Sequence, residues 1–581
     1  MNHKIKAIFL IIVTTFTLYA NNYQKVHPFD SLVYDAIVNL YISNGLALPS
    51  TSAPFSSDEL LKMVNKLDYD SLNEDAKLTY NYVLKELNQK DRSFKFEINV
   101  ALEANIHTDN ENFTKPDDWI RNYNERSQFA ELILETWPSK NIYGYISFLF
   151  GNSKYTNFSE DQREVSYYYG QKLLTHNLFF LYDTDDATNP NDAWPYRAFG
   201  SFGGNNWSVQ IGRDRLSWGP GITGNFMLGD HLSYHNMGRL SAYRNNFKYT
   251  LVTSFFPHPA QYYPIMDETG KFLKDTEEFL DGINMFLGHR IEWSLFSNRV
   301  GFALSEAIMY QSKENYLDLR ILNPSMVYHN YYISNNANSL LTLEVNTSPY
   351  KWINLYGQLA IDEFALPTES QPGIDSSANP SAHAFMVGAK TSYPINSGFV
   401  YGSFEWVYTN PYIYLRGKTG NQGDSEYGIN YVVAIREQFR SSRVFDEQFL
   451  GYKYGPDAIV YNLNGGYRKY GKWFVEGNLF YMVHGTHDKG TQWSTVGTSV
   501  DYLKTPTIKH ETNNNRDINA HIDRDSVSKT FVVGLKGEYQ FPFGISLFAQ
   551  GDYIFIANKD NRKSTLPVND FQFSFAISYK Y

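Results

Sequence analysis

Cysteine is absent from this 581-residue sequence, and past the first 20 positions no apolar run is long enough to cross a bilayer as a helix. The first absence excludes disulfide frameworks, thiolate metal sites, thiol nucleophiles and a lipidated N-terminal cysteine. The second excludes helical membrane spans, which need about 20 consecutive apolar residues. Positive charge is also short. The 51 Lys and Arg against 61 Asp and Glu leave a formal charge of -10, which argues against a nucleic-acid partner.

Catalytic signatures are missing as well: there is no G-x-S-x-G turn, no H-E-x-x-H helix and no G-x-x-x-x-G-K loop. His231 and His235 have a spacing that suits a metal only on a helix, and their surroundings read as loop. Asp183, Asp185 and Asp186 begin like a calcium loop, but Ala187 and Thr188 stand where a ligand and the turn glycine belong. The expectation is a protein that is not an enzyme and carries no metal and no cofactor.

Aromatic side chains are abundant. They make up 17% of the chain, with 46 Tyr and 41 Phe, yet the mean hydropathy is only -0.42. A transmembrane β-barrel reconciles the two, because its apolar residues occupy alternate positions of strands about 10 residues long, with aromatic girdles at both interfaces. Lys4 and Lys6 precede an apolar stretch from Ala7 to Leu18 and the small Ala20, so residues 1–20 read as a cleaved secretory signal peptide.

Residues 21–92 read as a small helical module placed in the periplasm. Leu32, Val33, Ala36, Ile37, Leu40 and Tyr41 recur at helical steps, a turn segment covers Leu46 to Pro54, Ser56 and Glu59 have capping-box spacing, and a third helix runs from Glu74 to Leu87. So few residues enclose little core of their own. At Phe94 the period changes to two: Phe94, Phe96, Ile98, Val100, Leu102 and Ala104 alternate with Lys95, Glu97, Asn99, Ala101 and Glu103.

That alternation recurs through 93–581, the barrel segment, and its connections have a regular asymmetry. Eight short ones, near 138–141, 203–206, 244–246, 297–299, 347–351, 394–398, 468–472 and 541–544, alternate with nine long ones, at roughly 108–127, 152–195, 214–237, 257–286, 311–338, 363–383, 409–457, 485–528 and 557–569. Seventeen connections predict an all-β barrel of about 18 antiparallel strands, with short periplasmic turns, long extracellular loops and both chain ends periplasmic. The pattern is weakest at Gly238–Tyr243 and between Ser166 and Tyr182. The last strand, with Phe571, Phe573, Phe575, Ile577, Tyr579 and Tyr581 on one face, resembles the C-terminal signal read by barrel-assembly machinery.

Glu97, Glu103, Arg290, Glu292, Glu344, Gln358, Asp362, Glu405, Lys536, Glu538 and Gln540 fall on the opposite face and must point into the lumen, since Arg or Lys on the lipid side costs about 2–4 kcal/mol near the midplane. Ion pairs filling the barrel and a polar path for a solute both fit these positions. In the loops, Tyr328, Tyr331, Tyr412, Tyr414 and Trp493 sit among polar residues. Aromatic faces beside hydrogen-bonding groups suit a polysaccharide, although girdle or loop packing uses the same residues.

One stretch, Gly212-Arg213-Asp214-Arg215-Leu216-Ser217-Trp218-Gly219-Pro220-Gly221 followed by Leu228-Gly229-Asp230, resembles the Wzi-type capsule assembly proteins. Tyr356-Gly357-Gln358 with Asp362-Glu363, the segment Gly451-Tyr452 with Gly455-Pro456-Asp457, and the helical module extend the resemblance over the mature chain. It implies an 18-stranded outer-membrane barrel acting as a surface lectin that helps attach or assemble capsular or extracellular polysaccharide. Its partners would be that polysaccharide and the outer-membrane lipid, without nucleic acid. For Arg213, Trp218, Gly219, Pro220, Gly221 and Asp230, shaping the loop is expected to outweigh direct sugar contact, because Gly and Pro supply conformation more than chemistry. The competing reading from the charged lumen is a porin-like diffusion channel for small polar solutes.

Overall fold

The computed structural model describes residues 22–88, 93–114, 118–152, 155–158, 165–167, 173–178, 190–191, 196–257, 283–312, 317, 319–323, 327–328, 337–363, 381–415, 429–439, 442–489, 491, 506–509 and 524–581. The signal-peptide reading and the acidic stretch around Asp183 lie outside them.

Strand β1 spans Phe94–His107, β2 Ala130–Ser139, β3 Ile142–Asn152, β4 Arg197–Gly204, β5 Trp207–Asp214, β6 His235–Arg244, β7 Phe247–Phe256, β8 Ile283–Leu295 and β9 Val300–Ser312. Then follow β10 Ala337–Tyr350, β11 Ile353–Glu363, β12 Ala382–Ile395, β13 Gly398–Thr409, β14 Ala458–Lys469, β15 Trp473–His484, β16 Ser528–Gln540, β17 Ile545–Ala557 and β18 Val568–Lys580. Each pairs antiparallel with the next, and β18 returns to β1, from Gln572 opposite His107 to Lys580 opposite Asn99. This closes an antiparallel barrel of 18 strands. Two short segments, Leu174–His176 on β1 and Pro190–Asn191 on β3, extend its loop-side rim. The short and long connections fall where the sequence predicts them, and the weakly patterned stretch at Gly238–Tyr243 lies within β6.

The period of two separates the wall's faces. On β18, Phe571, Phe573, Phe575, Ile577 and Tyr579 point outward and are 40–53% exposed, whereas Asp570, Gln572 and Ser574 between them are buried in the lumen. An outward apolar face that contacts no protein is the surface a bilayer covers.

Three helices close the short-turn mouth. Helix α1, Leu32–Ser43, is capped by Ser31; α2, Ser57–Val64, by Ser56, which accepts from Glu59 N; and α3, Glu74–Leu87, by Asn73. The helical stripe read from the sequence becomes the buried face: Leu40, Leu60, Val64 and Val83 pack with Phe55, and the cluster takes in Phe399 of β13 and Tyr470 after β14. The module thus completes its core with the barrel wall. Backbone contacts fasten it to the short turns: Trp352 N donates to Ile42 O (2.8 Å), Ser397 N to Asp75 Oδ1 (2.7 Å) and Asn206 N to Asp58 Oδ2 (3.2 Å).

The loop side of the lumen is packed from above. Phe113 of the β1–β2 loop, Phe226, Met227 and Leu228 of the β5–β6 loop, and Ile413, Tyr414, Ile429 and Tyr431 of the β13–β14 loop share one buried cluster with inward wall residues such as Phe286, Met309, Leu340 and Val407.

Candidate functional site

On the β6–β10 side the charged lumen meets an inserted segment of the helical module. Between α1 and α2 the chain rises into the barrel through Pro49–Pro54, and its hydroxyls and carbonyls satisfy the wall charges. Lys248 of β7 donates to Glu59 Oε1 (2.6 Å), Ser52 O (2.9 Å) and Ser50 Oγ (3.0 Å). Arg290 of β8 binds Glu292 Oε1 (2.8 Å), Glu344 Oε2 of β10 (2.7 Å), Thr51 Oγ1 (2.6 Å) and Ser305 Oγ of β9 (3.1 Å). Thr51 Oγ1 donates in turn to Glu344 Oε1 (2.8 Å), and Ser50 Oγ to Glu292 Oε2 (2.5 Å). Arg239 of β6 donates to Pro54 O (2.8 Å). Along β6–β10 these ion pairs fill the lumen, whereas on β16 the inward Lys536, paired with Glu476, stays 43% exposed. Lys248 and Arg290 are both ion-paired and hydrogen-bonded, the condition under which buried charge is tolerated, whereas Arg239 is held by the neutral oxygens of Gln210, Pro54 and Ser241.

The Trp-Gly-Pro-Gly loop lies directly on this segment. Ser217 and Trp218 form a two-residue ladder with Ala53 and Ser52, and Gly219 N donates to Thr51 O (2.9 Å). Beyond it the backbone turns along β11–β13: Lys390 Nζ donates to Pro220 O (2.7 Å), while Ile222 N (2.8 Å), Thr223 N (2.9 Å) and Tyr356 OH (2.6 Å) all donate to Glu405. Gln358 Nε2 binds Asn225 Oδ1 (3.0 Å), which also accepts from Gly221 N (2.9 Å). Gly219 has φ +134°, and a Cβ there would overlap Gln358 Nε2 and Asn225 Oδ1. Only glycine fits that corner.

No family model matches this sequence, and no curated protein matches it. Among solved structures the chain is similar to Wzi of Escherichia coli, an outer-membrane protein involved in group 1 capsule assembly and described as a carbohydrate-binding β-barrel, with 12% identity and a TM-score of 0.55 over 95% of this chain and 98% of that one. The fold is Wzi-like. Porin-type barrels also match at the level of general barrel shape. OprD of Pseudomonas aeruginosa has 9% identity and a TM-score of 0.36 over 84% of this chain and 95% of that one, and a BenF-like porin from Pseudomonas fluorescens Pf-5 has 10% and 0.38 over 84% and 98%.

In this Wzi-like barrel Trp218, Gly219, Pro220 and Gly221 belong to the plug, whereas Arg213 and Asp230 lie outside it. Trp218 is buried against Phe286, and Gly219, Pro220 and Gly221 run along the inner wall. Arg213, at the end of β5, lies 4.0 Å over the Tyr234 ring and donates to Asn236 Oδ1 (3.1 Å). Asp230 is tied to the neighbouring turn through its backbone oxygen, which accepts from Arg215 at 3.4 Å.

The aromatic candidates do not converge. Tyr414 is buried, with its hydroxyl donating to Phe226 O (2.7 Å), and Tyr412 is buried beside Ala382 and Leu415. Tyr328 packs on the outer side of the wall, over Met285, Leu287, Ile308 and Tyr310, its ring 5.1 Å from His289. None of the three presents a free ring face to the loop side. Tyr331 and Trp493 lie outside the described residues.

Sequence reasoning missed Ser50, Thr51 and Ser52, which read as an ordinary turn, and Lys390 and Lys248, which complete the two networks. The run of three hydroxyl residues between prolines was the one available signal.

His231 lies in the loop the sequence expected, its ring bonded to Phe449 O (2.8 Å), while His235 opens β6. Burial drives the His231 pKa down to about 4 and, with Lys25 nearby, that of His27 down to about 3. His27 bonds Ser57 Oγ at 2.9 Å, where the module enters the barrel. Both imidazoles stay neutral in the fold, and the unfolded chain takes up protons below about pH 6.5. Their contribution is therefore whole above pH 6.5 and falls as pH drops toward 3, by at most about 1.4 kcal/mol per pH unit for each. Thermal midpoints should decline from pH 6.5 to 4, with a shallower decline in the His27→Asn, His231→Asn variant. Parallel profiles would disprove the assignment.

Proposed function

We propose that this chain is an outer-membrane surface lectin, without catalytic activity, that binds capsular or extracellular polysaccharide on its long-loop face and helps attach or assemble it. The short-turn end and both termini then face the periplasm. The observation that carries the reading is the obstructed lumen: the polar insert from the helical module and the Trp-Gly-Pro-Gly loop are packed against the inner wall, in the way of a solute. A barrel closed in this way uses its loops, not its interior, and the Wzi-like fold supports the ligand class.

Deleting the gene should shift polysaccharide from the cell surface into the medium, and the purified barrel should be electrically silent in planar bilayers. Unchanged polysaccharide retention would sink the lectin reading. A steady ohmic conductance from the parent protein would favour the diffusion channel instead.

A further inference from the structure

Along the loop-side rim of the lumen, four successive strands each carry an oxygen-bearing side chain at an inward position: Asn284 on β8, Gln311 on β9, Asn338 on β10 and Asp362 on β11. They share the strand parity of Arg290, Ser305, Glu344 and Gln358, which meet the plug lower down. The three amides are almost fully buried, at 1%, 2% and 1% exposure, and Asp362 is at 7%. Asn284 stands directly opposite Gln311, and Asn338 faces Met309, one pleat from Gln311. Opposed side chains on one face have Cβ atoms about 4.5–5.5 Å apart, and diagonal ones about 7–8 Å. Asp362 follows Ile361, which pairs with Leu341 of β10.

The rim is rich in acceptors and poor in donors. Asn284 Nδ2 is spent on Pro257 O (2.9 Å) and Asn338 Nδ2 on Ile429 O (3.0 Å). Those bonds fix the two asparagine amides, because a flip would set oxygen against oxygen, whereas no such bond sets the Gln311 amide. Asn284 Oδ1, Gln311 Oε1 and Asn338 Oδ1 are left buried with no hydrogen-bond partner. Three such orphans on neighbouring strands are unfavourable unless something positive or donating sits among them.

We propose that this rim is a cation site, and that calcium is the ion that fits it. Calcium takes six to eight oxygens, among them carboxylates, Asn and Gln carbonyls and waters, in flexible geometry, whereas magnesium demands a tight octahedron and keeps its water. Gln311 and Asn338, with Asn284 beside them, supply neutral oxygens. Asp362, which also accepts from Tyr414 N (2.7 Å), supplies the nearby negative charge. Among the described residues no group of three or more His, Cys, Asp or Glu could hold a metal, and this rim pairs a single carboxylate with amide oxygens. A bound ion would tie β8–β11 to the chain at Pro257, Tyr414 and Ile429, stiffening the loop face from below. This site is independent of what the loops bind.

The test is thermal unfolding of the full-length barrel in detergent, in EDTA and in millimolar calcium chloride, for the parent and for Gln311→Met. At about hundred-fold excess over Kd, calcium should raise the parent midpoint by about 2 °C. Gln311→Met should lose that response while its midpoint in EDTA stays level or rises, because an apolar isostere removes an unpaired acceptor at little cost. If that variant does not reach the folded, heat-modifiable form, Asn284→Leu takes its place. A parent midpoint indifferent to calcium, as a buried water would give, overturns the site, and so does an equal response in parent and variant. Polysaccharide retention is read separately and decides neither outcome.

Discussion

Arg290→Met is expected to lower the unfolding free energy by about 3–5 kcal/mol, because it takes a shared partner from two carboxylates in the lumen. Glu292 and Glu344 both lean on the Arg290 guanidinium, and Thr51 joins them to the inserted segment. Removing the arginine takes the ion-pair partner from Glu344 and leaves Glu292 only Lys248, opposite it on β7, and one-sided removal is the costly way to break a buried pair. Equilibrium unfolding in urea, with the barrel in lipid vesicles, would measure it. A triple variant with Glu292→Gln and Glu344→Gln removes the stranded charge and should regain most of the loss. A single variant within about 1 kcal/mol of the parent would mean that these groups are hydrated and that the insert does not depend on them.

Gly219→Ala should be the next most damaging change, at about 2–4 kcal/mol, from a φ that L side chains rarely adopt together with overlap in a packed corner. The added methyl displaces Gln358 or Asn225, and with them the hydrogen bonds that hold the β5–β6 loop against the wall. Gly200→Ala is the control, since a Cβ at Gly200 meets nothing within 4 Å, and it should be neutral. If the loop leaves the wall, Gly219→Ala should also show intermittent conductance in planar bilayers where the parent shows none. Stability equal to that of Gly200→Ala would remove glycine's role at this corner.

The wall was legible from the sequence, because strand periodicity is a local property. Phe571 to Tyr579 alternate with polar residues whatever surrounds them, and the turn at Asn205 and Asn206 is written in two adjacent positions. The helices were legible for the same reason: Ser31, Ser56 and Asn73 cap them through side-chain oxygens that accept from the backbone N–H three residues on. The interior was not. Thr51 meets Glu344 across 293 positions, and Thr223 N meets Glu405 across 182. Nothing in Trp-Gly-Pro-Gly distinguishes a loop that turns inward from one that faces solvent. Tyr414 looked available beside Pro411 and Tyr412, yet its hydroxyl is consumed by Phe226 O, a partner 188 positions away. Local patterns report which face a residue occupies; they do not report what arrives to cover it.

The same long separations bear on how the molecule is put together. Its first strand bonds to its last, so the ring cannot shut until the final residues are in place, and the insert that neutralises the inner wall belongs to the earliest part of the described chain. Contacts this distant are slow to find, since each requires a large loop to close first. Insert and seam therefore both come late, after neighbouring staves have paired through their short turns, and the insert serves as a peg that locks the finished ring from within. Truncation at the C-terminus would then do more than leave a gap in the wall: with the ring open the peg loses its socket, and the charges it covers would face water.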